Sequence, residues 1–119
     1  MVMYNIHVMD IIFANSKLEK LFSSEKELLR KYGPENGKLI MKRITFLMGV
    51  NNLGEVPHTP PFGRHQLVND RKGQFAIYVK HPQRLLFMPN HNPLPKNEDG
   101  GLDLKQVTSI NIIGVEDYH

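Results

Sequence analysis

Gln74-Phe75-Ala76-Ile77-Tyr78-Val79-Lys80 and Arg84-Leu85-Leu86-Phe87-Met88, joined by His81-Pro82-Gln83, form the stretch that decides the fold. Both runs are rich in aromatic and aliphatic residues. A connection as short as His-Pro-Gln fits a hairpin, which makes the pairing antiparallel. Period-two alternation puts Phe75, Ile77 and Val79 on one face and Gln74, Ala76, Tyr78 and Lys80 on the other. In the second run Leu85 and Phe87 oppose Arg84, Leu86 and Met88. One face is ready to receive helices; the other carries cations and an aromatic.

Moving outward, Arg64 to Val68 reads as a third strand, tied to the hairpin through the short connection Asn69 to Gly73. Val107 to Val115 reads as a last strand, and His7 to Ala14, rich in Val, Ile and Phe, as a first. Ser16 with Glu19 fits a capping box opening a helix, and Ser24 with Glu27 repeats the pattern, with a break near Ser23. Leu18, Leu21, Phe22, Leu28, Leu29 and Tyr32 recur at helical spacing. Gly33-Pro34 closes this helix and opens a second, in which Leu39, Ile40, Ile44, Leu47 and Met48 line one face. The two amphipathic helices make a hairpin. Asn51 to Gly63 and Pro89 to Gly101, each with three prolines, are loops.

The 119 residues predict a single domain spanning 1–119. With no cysteine there is neither disulfide nor thiolate zinc site. No signal peptide is evident and the apolar runs are short of a membrane span, so a soluble, cytoplasmic protein without a membrane partner is expected. Charge is unevenly placed. Residues 36 to 96 carry Lys38, Lys42, Arg43, Arg64, Arg71, Lys72, Lys80, Arg84 and Lys96 against Glu55 and Asp70, a balance of +7 within a chain of net +3. Such a middle suits a polyanion.

Candidate chemistry gathers at Glu116-Asp117-Tyr118-His119, which a strand would hold in place. Imidazole gives or takes a proton near neutral pH, and Asp117 shares the strand parity of His119. His65 stands at a strand start, and Arg84 follows a tight turn, where a guanidinium offers a planar fork of donors to phosphate. A lone histidine is more often structural, and His7, His58, His81 and His91 are too scattered for a metal site. Two histidines, an arginine and a basic sheet face point to cleavage of RNA by its own 2′-hydroxyl, which needs a base, an acid and positive charge on the phosphate. No metal or cofactor is implied.

The strings His65-Gln66-Leu67-Val68-Asn69-Asp70-Arg71-Lys72-Gly73-Gln74-Phe75, His81-Pro82-Gln83-Arg84-Leu85 and Val115-Glu116-Asp117-Tyr118-His119 resemble the HigB-like toxins of the RelE/ParE superfamily, as does Phe13-Ala14-Asn15-Ser16-Lys17-Leu18-Glu19-Lys20. The resemblance implies a RelE-like α+β fold, with an N-terminal strand and helix hairpin packed on one face of an antiparallel sheet. It implies the toxin of a type II toxin-antitoxin system, a ribosome-dependent mRNA endoribonuclease. Its partners would be mRNA, the ribosome and a HigA-like antitoxin, with operator DNA met only through the antitoxin complex. His65 and His119 become the acid-base pair, Arg84 the phosphate clamp, Tyr118 a base-stacking or proton-donating group and Asp117 the orienter of His119. Arg71, Lys72 and Lys80 are the RNA-binding candidates. Relatives often carry a lysine where this chain has Val68. The alternative is a non-catalytic member of the same superfamily, binding a protein target such as gyrase or only its antitoxin.

Overall fold

In the computed structural model, which describes residues 8–117, strand β1 (Asp10–Phe13) runs into three helices, α1 (Ser16–Phe22), α2 (Glu25–Tyr32) and α3 (Pro34–Gly49). The expected first helix is two helices, broken at Ser23-Ser24, where the Ser24 hydroxyl accepts the Glu27 N–H at 3.2 Å. At α1 the cap is Asn15 rather than Ser16. Its backbone is extended and its side-chain carbonyl accepts the Leu18 N–H at 2.9 Å, which leaves Ser16 as the first helical residue. Gly33, at φ +88°, turns the chain between α2 and α3, and Pro34 occupies the first turn of α3, where its missing N–H costs nothing.

The remaining strands are β2 (His65–Gln66), β3 (Phe75–Tyr78), β4 (Gln83–Pro89) and β5 (Ser109–Asp117), in the sheet order β1-β5-β4-β3-β2. Pairs β2/β3, β3/β4 and β4/β5 are antiparallel. The pair β1/β5 is parallel, from Asp10 opposite Ser109 to Phe13 opposite Ile112, so the sheet is mixed and not wholly antiparallel as expected. Short turns dictate antiparallel pairing only between neighbours in sequence, and these two strands are joined by most of the chain. The domain is α+β, with one mixed five-stranded sheet and three helices among the described residues.

One sheet face supplies Phe75, Ile77, Leu85, Phe87, Ile110 and Ile112 to a core shared with Leu28, Ile40 and Leu47 of the helices. Phe75 and Phe87 are register partners with stacked rings, centroids 5.8 Å apart. The expected loop after α3 belongs to this core: Leu53 and Val56 are fully buried, and Leu53 opens a single 3-10 turn, Leu53–Glu55. Arg64 was expected to start a strand, but its guanidinium donates to Leu53 O at 3.0 Å and Val56 O at 2.6 Å, tying the loop to β2. The opposite sheet face is not purely polar. Leu67, Ala76 and Leu86 are buried there with Ile113 beside them, an apolar floor under the polar side chains around it. Among the described residues no helix is long and apolar enough to cross a membrane.

Candidate functional site

Strand register assembles the site. His65 lies opposite Ala76, Tyr78 opposite Arg84, and Arg84 opposite Glu116, so His65, Tyr78, Arg84 and Glu116 share the face turned away from the helices. The Arg84 guanidinium carbon stands 4.6 Å from the Tyr78 ring centroid, within cation–π range. Its only hydrogen bond among the described residues is to Gln83 O, at 2.8 Å, and no carboxylate there pairs with it.

His65 lies 6.3 Å from Tyr78, centroid to centroid, and its Nδ1 is 2.9 Å from Gly63 O. A carbonyl can only accept, so this contact requires a proton on Nδ1 and leaves Nε2 as the ring nitrogen directed elsewhere. Gly63 also holds the tyrosine. At φ +58° a Cβ on this residue would fall 2.3 Å from Tyr78 Cε2, so only glycine lets the ring lie against the backbone there. Arg43 fixes the same strand from the helix side, donating from Nε to Tyr78 O at 2.8 Å.

Glu116 faces Arg84 across the strands but bonds Arg71, which grips it with Nη2 at 2.8 Å and Nη1 at 3.3 Å. Arg71 comes from the turn Asn69–Arg71 after Val68, which is 62% exposed. Lys72 is exposed beside it. Lys80, expected to alternate onto the Tyr78 face, is instead ion-paired with Glu35 at the start of α3, at 2.8 Å. Strand β3 ends at Tyr78, so alternation no longer governs Lys80. Asp117 is exposed, with Gln83 as its register partner. Tyr118 and His119 lie outside the described residues.

The +7 middle is spread over the whole fold. Arg43 and Arg64 point at backbone carbonyls, and partial burial lowers the pKa of each. Lys38 and Lys42 ride on α3, in the helix layer. Of the nine cations, Arg84 lies on the His65 face and Arg71 reaches it through Glu116, while Lys72 is exposed next to Arg71 in sequence.

The structure brings His65 and Arg84 onto one face, and their supports carry no mark in the sequence. Asn36, 4% exposed, accepts the Lys80 N–H at 3.0 Å and donates to Gln83 Oε1, fastening the turn before Arg84 to the first turn of α3. A buried polar residue beside a helix start carries no periodicity signal. Gly63 was legible only as a loop glycine. Glu116 was noted as one of a terminal group, without its partner Arg71.

No group of three or more His, Asp or Glu side chains suited to a metal ion occurs among the described residues. Searched against known protein families, curated proteins and solved structures, the chain matches none.

Proposed function

We propose that this chain is a RelE-like toxin of a type II toxin-antitoxin system: a metal-independent mRNA endoribonuclease that acts on translating ribosomes and is held in check by a cognate, HigA-like antitoxin. The observation that carries the reading is the Arg84 guanidinium stacked on Tyr78, without an acidic partner among the described residues and on the same face as His65. In this reading Nε2 of His65 takes the proton of the RNA 2′-hydroxyl. That oxygen attacks the neighbouring phosphorus, and the bond to the 5′-oxygen breaks as His119 returns a proton to it, leaving a cyclic phosphate and a free 5′-hydroxyl. Arg84 neutralises the charge that builds on the phosphate oxygens. Tyr118 stacks on a base or donates a proton, Asp117 orients His119, and Arg71 and Lys72 meet the RNA backbone.

Support is of two kinds. The resemblance of the His65–Phe75, His81–Leu85 and Val115–His119 strings supports the reaction and partners, and the shared face of His65, Tyr78 and Arg84 supports their acting together. The test is primer extension on mRNA with programmed ribosomes, with and without the antitoxin. Removal of His119 should abolish cleavage while leaving the melting temperature nearly unchanged, and full cleavage by that variant would refute the assignment.

One observation favours the binding reading instead. Val68 stands where a lysine is expected, and Arg71 and Lys80 are committed to Glu116 and Glu35, which thins the charge available to a scissile phosphate. Inhibition of gyrase supercoiling with no cleavage on ribosomes would establish that alternative.

A further inference from the structure

Across the sheet, Arg84 lies between two register partners, Tyr78 of β3 and Glu116 of β5. Residues directly opposite in an antiparallel pair have Cβ atoms about 4.5–5.5 Å apart, so a glutamate there is within reach of a guanidinium, and opposite charges so placed attract. Yet the Arg84 guanidinium lies over Tyr78, 4.6 Å from the ring centroid, and no ion pair among the described residues joins it to Glu116. The carboxylate is held by Arg71 instead, through Nη2 at 2.8 Å and Nη1 at 3.3 Å.

The turn carrying Arg71 sets it in that place. Asn69 takes the left-handed region at φ +59°, which Asn tolerates better than most residues. The Arg71 N–H donates to Val68 O at 3.2 Å, its carbonyl accepts the Gln74 N–H at 3.0 Å, and Gln74 O accepts the Leu67 N–H at 2.9 Å, which closes the turn onto the start of β3. Arg71 thus projects from a fixed backbone. Its planar fork meets both carboxylate oxygens, a geometry that a lysine cannot match. The side chains of the pair are 30% and 41% exposed, so it adds little to folding stability. What it fixes is where Glu116 points.

We propose that Arg71 is a positioning residue: it captures Glu116 and keeps that carboxylate off Arg84, so that Arg84 meets a substrate phosphate without competition from Glu116. Loss of Arg71 leaves Glu116 with Arg84 as the cation opposite it, and the clamp is then occupied from within. Arg71→Ala is therefore harmful only while Glu116 keeps its charge. A direct contact between Arg71 and RNA predicts the opposite, a loss that persists when Glu116 is neutralised as well. The consequence for substrate rests on the reading of Arg84 as a phosphate clamp; the hold of Arg71 on Glu116 does not.

The test uses the full chain with isotope-labelled arginine, read by NMR at the Arg84 Nε–H, in Arg71→Ala, Glu116→Gln and the double variant. Arg71→Ala should move this resonance, Glu116→Gln should leave it in place, and the double variant should return it to the wild-type position. Lys72→Ala, which removes an equal charge from the neighbouring residue with the pair intact, should not move it. Affinity for a fluorescein-labelled RNA hexamer with 2′-O-methyl riboses, which cannot be cleaved, should fall about three- to fivefold in Arg71→Ala, the size of one cross-strand ion pair, and be restored in the double variant. The proposal is overturned if the resonance stays in place in Arg71→Ala, if it fails to return in the double variant, or if Lys72→Ala moves it as far. It is overturned as well if the hexamer affinity stays lowered in the double variant, because Arg71 then acts on RNA by its own charge. A wild-type protein that binds no hexamer would count against Arg84 as an RNA clamp, and the resonances would still decide the role of Arg71.

Discussion

Gly63 shows how much of the site rests on one backbone. Its carbonyl holds Nδ1 of His65, and the space above its Cα is filled by the Tyr78 ring on which Arg84 stacks. Gly63→Ala places an L-residue at φ +58°, at a cost of roughly 1–2 kcal/mol, and drives a methyl into the ring. The expected loss of stability, measured by urea unfolding, is therefore about 2–3 kcal/mol, within the range of strained-backbone and overpacked substitutions. Tyr78→Ala in the same chain should relieve the clash, so the cost of Gly63→Ala should shrink by at least about 1 kcal/mol in that background. Strictly additive costs would show that the ring and the glycine do not depend on each other. His65 and Arg84 were legible because strand alternation and turn position mark them. Gly63 was not, since its role depends on a positive φ and on a ring fifteen residues further along the chain.

At the scale of elements, the joint between α3 and the β3–β4 turn is set by Asn36, which pairs with both the Lys80 N–H and the Gln83 side chain. Asn36→Ala leaves a shielded backbone donor without a partner, and should cost about 1–3 kcal/mol. Asn36→Asp keeps the acceptor for Lys80 and loses the donor to Gln83, so the Lys80 amide should exchange quickly in the alanine variant and remain slow in the aspartate one. Equal exchange in both variants would remove Asn36 from this role. The strands of the hairpin and the Ser24 cap were readable because each is decided by residues within a few positions. The Asn15 cap was misassigned by one residue, since Asn and Ser offer equivalent side-chain acceptors and only the extended backbone at Asn15 chooses between them. The parallel pairing of β1 was unreadable for a different reason: its partner begins ninety-nine positions later, and no local pattern spans that separation.

For the whole molecule, the summed charge includes cations that donate to backbone carbonyls, Arg43 and Arg64, and others that ride on α3, Lys38 and Lys42. If RNA is held only by Arg84, Lys72 and Arg71, with Arg71 shared with Glu116, about two to three phosphates are neutralised. The logarithm of affinity for a single strand should then fall against the logarithm of salt with a slope of about −1.4 to −2. A slope near −5, as the full +7 middle would give at roughly −0.7 per phosphate, would mean that α3 and the loops also touch RNA. Charge balance was legible in the sequence; its partition between surface and interior was not, because Arg43 and Arg64 look like any other arginine until their carbonyl partners are placed. The position of β5 between β1 and β4 bears also on synthesis. Until Ser109–Asp117 has left the ribosomal exit tunnel, β1 has no partner, β4 has an open side and Glu116 is not there for Arg71, so a nascent chain cannot close its sheet. A protein of the proposed kind would stay harmless to the ribosome making it until the last strand is free to fold.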